Sequence, residues 1–362
     1  MKKLIILFLV VLSSISAKAQ EECGTKITKP PVRFSQKQKD SLNAVLAVTT
    51  PYAVRVHITV FADDNGLNVG ATNANVMRQF QNMVNQYQPR SICFILIDVR
   101  QVNNTDLNTH DAAIEEAELN PYKIGGCLNI FIHNSLPGLN GTAYAIPNTY
   151  MSLSGGTIAS TTNLTTMGHE VGHCFGLYHT FESALGWENV TRNSASACYD
   201  CEVDGDLLCD TPADDPTDPN GNVNSLCVYT AGRSDACSVA AVYTPLTNNV
   251  MGYGDRACRN SFTSGQGTRM RSMMITSGTL TPIVADNIVY APVSNLPLTY
   301  STGVGQDSAR DELYISNNTS DNYNVTGSAV RHLQSKKVYL KPGTHFYPTT
   351  GRIHVKTNPY CN

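Results

Sequence analysis

The sequence predicts an α/β layer on a partly parallel sheet, then a loop-rich half stapled by disulfides, then a small β-rich C-terminal module. Three observations lead there. Strand-like and helix-like periods alternate between residues 52 and 136. Periodicity vanishes from 182 to 248, where Gly, Pro, Asp, Asn and Cys crowd together, and the composition changes again after about Val284.

In chain order, the first residues, "MKKLIILFLVVLSSISAKAQ", join a charged start, an apolar run from Leu4 to Leu12, and small residues at Ala17 and Ala19. That pattern is a secretory signal over residues 1–19. The run is well short of the roughly 20 apolar residues a membrane span needs, and no later stretch approaches that length. An exported chain with 11 cysteines points to disulfides, and the odd total leaves at least one thiol unpaired in a monomer. The formal net charge of −3 gives no reason to expect nucleic acid or an anionic membrane as partner.

Residues 20 to about 45 read as a polar lead broken by "KPP". "YAVRVHITVF" (52–61) alternates as a strand, and "NANVMRQFQNMVNQY" (73–87) carries apolar residues at helical spacing. "SICFILIDVRQV" (91–102) and "CLNIFIHNSL" (127–136) are further strands, and strand–helix–strand order implies a sheet with parallel neighbours. "GTAYAIPNTYMSL" (141–153) is expected at the sheet edge, the place that tolerates Pro147. Residues from about Thr161 to Phe175 read as a helix buried under the sheet, and "TSGQGTRMRSMM" (263–274) as another, with Thr263 and Gln266 at capping-box spacing. After Val284 come a weakly patterned polar stretch (301–327) and short strand-like runs (336–358), with no evident repeat of solenoid length.

The buried helix contains "HEVGHCFGLYH" (169–179), three of the chain's nine histidines within one short stretch. His169 and His173 are one helical turn apart, so both imidazoles can reach one ion at roughly 2.0–2.1 Å. Gly176 can take the left-handed conformation that ends a helix, which lets His179 return to the same ion. Three neutral nitrogens with a fourth position open describe a catalytic rather than a structural zinc site. Glu170 lies beside the ligands, placed to touch a water without binding the metal. Two histidines at this spacing occur by accident on ordinary helices; a glycine and a third histidine in register rarely accompany them.

The stretch fits HExxHxxGxxH, the metzincin pattern. Together with "GDLLCDTPAD", "NNVMGYGDRAC" and "FTSGQGTRM", it makes residues 50 to 275 resemble the pappalysin family, in its bacterial cytophagalysin or ulilysin-like branch. The resemblance implies a metzincin-type α/β (α+β) fold in two lobes: a twisted mixed sheet with the active-site helix above, and a loop-rich, disulfide-stapled lobe below. It implies a secreted zinc endopeptidase that hydrolyses extracellular proteins, with His169, His173 and His179 as zinc ligands and Glu170 as general base and acid. By the same resemblance Met251 packs beneath the metal and Tyr253 assists catalysis; read alone, each is an ordinary core or surface residue. The implied division is a pro-segment over 20–48, a catalytic domain over 49–285 and an accessory module over 286–362.

"GDLLCDTPADD" concentrates carboxylates that suit calcium, and the family binds structural calcium near this motif; Asp206, Asp210 and the Thr211 carbonyl are the implied ligands, against an acidic solvated turn. Cys23 in "ECGTK" is either a latency switch, its thiolate filling the open zinc position as in related propeptides, or a disulfide partner. Cys174 reads as a buried thiol or disulfide partner rather than a catalyst. The family pattern implies disulfides Cys227–Cys258 and Cys201–Cys237. "VYLKPGTHFYPTTGRIHVKTNPYC" resembles short stacking modules that end many exported bacterial proteins and serve surface attachment, substrate capture or stability. A binding or adhesion protein on the same scaffold is the competing reading; the intact glutamate and histidines speak for the enzyme.

Overall fold

The computed structural model describes residues 22–361 apart from 29, 36–37, 39–41, 43–49, 218, 220–222, 239, 293–296 and 317–321. The expected signal segment, and with it part of the 20–48 lead, lies outside the described residues.

A seven-stranded sheet organises the first 285 residues. β1 (Glu22–Cys23), β2 (Tyr52–Ala62), β3 (Ile92–Asn103), β4 (Leu128–His133), β5 (Leu139–Ala143) and β6 (Tyr150–Ser154) lie in the order β1-β5-β6-β4-β2-β3, and β7 (Val284–Ala285) joins the start of β2. β3, β2, β4 and β6 are mutually parallel, whereas β5 runs antiparallel to β6. β2 sits centrally and is buried along almost its whole length, as a strand covered on both faces is, although Arg55, His57 and Thr59 interrupt its apolar residues.

Helix α1 (Asn73–Tyr87) starts where Thr72 accepts a hydrogen bond from the Asn75 amide. Its Val76, Phe80, Met83 and Tyr87 repeat at helical spacing and pack on Val56, Ile58, Ile130 and Leu153 of the sheet. The Tyr87 hydroxyl donates to the Gly168 carbonyl at 2.7 Å, tying α1 to the helix that carries the histidines. The short helices α2 (Thr105–Asn108) and α3 (Gly155–Ala159) flank the sheet. On its other face Phe61, Leu107, Leu119 and Phe131 form a smaller core, where His110 stacks on His133 at 4.5 Å.

Two expectations need correction. The single edge strand over 141–153 is instead the hairpin β5–β6, broken by the cis Ile146–Pro147 bond, so the free edge falls at residues 139–143. Proline cannot continue the ladder, and here it turns the chain back. The region expected to lack a repeat, beyond Asp286, is a three-rung parallel β-solenoid. Its strands are β8 (Ile288–Ala291), β9 (Leu298–Tyr300), β10 (Val304–Ser308), β11 (Glu312–Ile315), β12 (Tyr323–Gly327), β13 (Val330–Ser335), β14 (Lys337–Leu340), β15 (Thr344–Pro348) and β16 (Arg352–Thr357). They form three parallel sheets, β8-β11-β14, β9-β12-β15 and β10-β13-β16. Leu313, Ile315, Tyr323, Val325 and Leu333 fill the interior, and Tyr290, Tyr314 and Tyr339 stack in a ladder 4.8 and 4.6 Å apart. The repeat escapes a sequence reading because the turns differ in length from rung to rung and one ladder position carries unlike residues, as at Ile288, Glu312 and Lys337.

The solenoid is joined to the sheet by the Cys93–Cys361 disulfide and by Arg55, which donates to Ser308 Oγ at 2.7 Å and to the Val284 carbonyl at 3.1 Å. His57 of β2 is buried nearby with neither ring nitrogen hydrogen-bonded. Burial, aided by the charge of Arg100, pushes its pKa from 6.5 down to about 4 against the opposing pull of Asp98; burial likewise pushes His133 down to about 3. The unfolded chain therefore takes up these protons as pH falls through about 6.5, while the folded chain refuses them until near pH 4. Stability from these groups is full above pH 6.5 and is lost on the way down, by at most about 1.4 kcal/mol per pH unit for each. Urea unfolding between pH 7 and pH 4.5 checks this: His57→Gln is expected to flatten the acid slope, and an unaltered slope would exclude His57 as its source.

Candidate active site

Helix α4 (Thr166–Cys174) is buried along its full length. Its glycines allow close packing: a Cβ on Gly172 would lie 2.5 Å from Met251 Sδ, and one on Gly168 1.9 Å from Gln86 Oε1, so either side chain would have to move. Gly176 ends the helix at φ 95°, and Arg269 Nε holds the turn by donating to the Gly176 carbonyl at 2.7 Å. That reversal brings His179 back over the helix.

The three Nε2 atoms converge. His173 Nε2 lies 3.2 Å from His169 Nε2 and 3.1 Å from His179 Nε2, and His169 to His179 is 3.3 Å. The far nitrogens of two rings face carbonyls: His169 Nδ1 sits 2.7 Å from the Val250 oxygen and His173 Nδ1 2.9 Å from the Leu177 oxygen. A carbonyl accepts only, so these Nδ1 atoms carry the protons and their Nε2 atoms are bare lone pairs. Burial, then the neighbouring imidazoles, push the pKa of His169 far below the ordinary value, and His173 follows for the same causes. Neutral nitrogens facing one another without a proton to share need a cation between them, so the donor set fits zinc.

Glu170 is buried beside this cluster with no cationic side chain in contact. Its Oε2 accepts from Thr25 Oγ1 at 2.9 Å, from the Ala143 amide at 3.1 Å and from Cys23 Sγ at 3.4 Å, while Oε1 has no partner. Burial pushes its pKa up to about 7. Met251 is fully buried beneath the cluster, its amide held by Asn249 Oδ1 at 2.9 Å. Asn249 and Gln266 exchange side-chain hydrogen bonds of 3.0 and 3.1 Å, joining that turn to the capping box of α5 (Ser264–Thr276). Asn249 was not singled out in the sequence, although an amide two residues before the methionine was there to read. The Tyr253 ring packs 5.0 Å from His179, and burial raises its phenol far above the ordinary range.

The lead sits in this site. Cys23 joins His169, His173 and His179 in a group whose ligand atoms lie within 4.8 Å of one another. β1 pairs with the free edge of β5, the Gly24 amide donates to the Gly141 carbonyl at 2.9 Å, and the Cys23 amide donates to the Tyr253 hydroxyl at 3.1 Å. "Cys-Gly-Thr" thus has a use for each residue: a thiol among the imidazoles, a glycine where a Cβ would meet Leu139 Cδ1 at 2.6 Å, and a hydroxyl bridging Glu170 and Ala143.

Elsewhere the geometry rearranges what was expected. Cys227 is bonded to Cys258, but Cys201 pairs with Cys209 and Cys237 with Cys198, so the expected Cys201–Cys237 bridge is corrected. Cys23, Cys127 and Cys174 are free thiols. Asp210 is taken up at the start of α5, accepting from Thr263 Oγ1 at 3.1 Å and the Gly265 amide at 2.6 Å, and the Thr211 carbonyl accepts from Arg192 at 2.6 Å. Asp206 stays buried with Oδ2 unpartnered, as does Glu188 with Oε2, a residue the sequence did not single out. Burial pushes Asp206 up to about 8; burial and then the Asp206 charge push Glu188 up to about 9.

Several known proteins resemble this chain. Residues 108–275 match the peptidase M43 family profile, described as pregnancy-associated plasma protein-A. An extracellular metalloprotease of Pyricularia oryzae is 30% identical over 295 residues, covering 74% of this chain and 94% of that protein. One from Podospora anserina is 29% identical over 238 residues, covering 61% and 72%. Among solved structures, mature mirolysin of Tannerella forsythia in complex with a cleaved peptide aligns with TM-score 0.47 at 19% identity, covering 65% of this chain and 96% of that one.

Proposed function

The chain belongs to the pappalysin family of metzincin peptidases, and from that premise we propose how its own residues carry the reaction. It is a secreted zinc-dependent metalloendopeptidase acting on proteins or peptides, and among the described residues no helix is long and apolar enough to cross a membrane. The convergence of three Nε2 atoms, two of them bare, beside a buried carboxylate carries the reading.

His169, His173 and His179 hold the metal. Zinc, when bound, supplies a Lewis acid that acidifies water and polarises a carbonyl. The substrate lies extended along residues 139–143, taking the place of the lead and using the same backbone groups. Glu170 Oε2 accepts the proton of the attacking water and returns it to the departing amine. Burial without a direct ion pair keeps it basic enough for the first step and acidic enough for the second. The Tyr253 hydroxyl, which now accepts from the Cys23 amide, turns to donate to the developing oxyanion.

We place the catalytic unit before about residue 285 and an accessory solenoid after it. Calcium is proposed at Glu188 and Asp206, whose unpartnered buried oxygens ask for a hard cation; Asp210 leaves the ligand set because it caps α5. Cys23 is proposed as the latency switch, its lead covering the histidines and Glu170 until cleaved.

Casein digestion by the protein with its lead removed tests the enzyme reading. Activity should vanish with a zinc chelator, and Glu170→Ala should keep about one zinc yet lose roughly a thousandfold or more in kcat/KM. Near-normal digestion by that variant would end the mechanism. In the chain that retains its lead, Cys23→Ala should raise activity toward that of the processed protein; equal activity of the two uncut forms rejects the switch. A calcium-selective chelator should lower Tm by several degrees in the parent and leave Asp206→Asn unmoved, and an unshifted parent Tm would remove calcium.

A further inference from the structure

A cavity of about 420 Å³ opens between the C-terminal half of α1, the residues leading into α4 and the segment after Met251. Gln86, Thr165, Arg256 and Arg259 are on its wall. Arg259 is 6% exposed. One terminal nitrogen donates to the Gly252 carbonyl at 2.8 Å, its Nε has no hydrogen-bond partner, and no carboxylate is paired with it among the described residues. Burial pushes this guanidinium down to about 10, and the neighbouring charge of Arg256 pushes the same way, opposed in part by Tyr253 and Asp255. Asp255 turns an oxygen inward to the Ala257 amide at 2.9 Å rather than pairing with Arg259. The Thr165 hydroxyl, also buried, is a further polar group on this wall without a partner.

The cavity wall adjoins both the ligand helix and the turn at Met251. Arg259 donates to the carbonyl of Gly252, the residue after Met251, and Thr165 accepts the His169 amide at 2.9 Å through its carbonyl. A buried cation with no counter-charge costs several kcal/mol, and a second cation beside it adds to that cost. A carboxylate entering the cavity removes the penalty and meets the planar fork of Arg259 in bidentate geometry. The volume suits one side chain.

We propose that this cavity is a substrate subsite for a carboxylate next to the scissile bond, borne by an Asp or Glu side chain, with Arg259 and Arg256 as its specificity-determining residues. The proposal rests on the proteolytic reading above and adds the chemistry that selects the bond.

The test uses the processed protein and amidated peptides built on one site found in a casein digest, carrying Glu, Gln or Lys in turn at each position flanking the bond. Glu at one of those positions should raise kcat/KM by about tenfold or more over Gln, with Lys poorest. Arg256→Glu, a change at a half-exposed position, should invert the order of Glu and Lys. Arg259→Gln should lose the advantage of Glu while still cleaving the Gln peptide. A parallel set with free C-termini separates the two sources of carboxylate: a gain confined to peptides whose terminal carboxylate falls beside the bond overturns the side-chain assignment. Cleavage with no preference for Glu over Gln overturns the subsite and leaves the protease standing. Failure of the processed protein to digest casein, which leaves no site to build on, overturns the protease itself.

Discussion

The two backbone carbonyls that hold the far side of the zinc-site imidazoles are what the rest of the structure serves. Val250 and Leu177 fix the protonated nitrogens of His169 and His173, and so turn the opposite lone pairs inward. Each carbonyl has its own support. Leu177 follows the Gly176 reversal that Arg269 clamps, and Val250 belongs to the turn that Asn249 ties to Gln266 and α5. The upper sheet, the short α4 and the first turn of α5 are therefore coupled through three imidazole rings. An error of one residue anywhere along 169–179 would leave buried lone pairs facing apolar neighbours.

Much of this was legible in the sequence because it is local. Helix 73–87 announced itself by the spacing of Val76, Phe80, Met83 and Tyr87, and the capping box at Thr263 by two residues three apart. The ligand helix needs only eleven consecutive residues. What escaped depends on distant partners. Cys201 lies eight residues from Cys209, yet nothing in the cysteine order distinguishes that pairing from Cys201–Cys237. Glu188 belongs with Asp206 only once the irregular segment has folded back. The solenoid hid because its rungs align by hydrogen-bond register more than by repeated residues; the tyrosine ladder and the stacked pair His332 and His354 were its traces. At the sheet edge, Pro147 was rightly read as incompatible with a central strand, but it marks the turn of a hairpin rather than a tolerant edge.

A lead of a few residues can fill the cleft because it offers complementary atoms to most of the polar groups there. The edge strand presents the Gly141 carbonyl, and Gly24 supplies an amide; Tyr253 presents a hydroxyl, and Cys23 supplies another. Thr25 then covers Glu170. An extended peptide bound in the same place would find the same backbone groups, which makes occupation by lead and by substrate mutually exclusive without any moving lid. Affinity of this kind comes from main-chain hydrogen bonds and is indifferent to sequence. Selectivity must then come from a side-chain cavity.

Buried charge without a partner is the common thread among the places where this fold leaves something to another molecule. Arg331 is paired with Asp307 inside the solenoid and Arg310 with Asp311, and those pairs close their own accounts of charge. Glu170, Asp206 and Arg259 do not, although all are buried more deeply than most charged groups tolerate, whereas Glu188 is paired with Arg192 at 2.6 Å and leaves only Oε2 open. A chain that can place arginine against aspartate in its solenoid had the means to do so at these sites as well. Unmatched carboxylates at one and an unmatched guanidinium at another differ in sign, so they call for different ligands: a proton in transit, a hard cation, an acidic side chain. Each is disfavoured in the isolated fold and relieved by a ligand, which is the energetic signature that separates a binding group from a structural one.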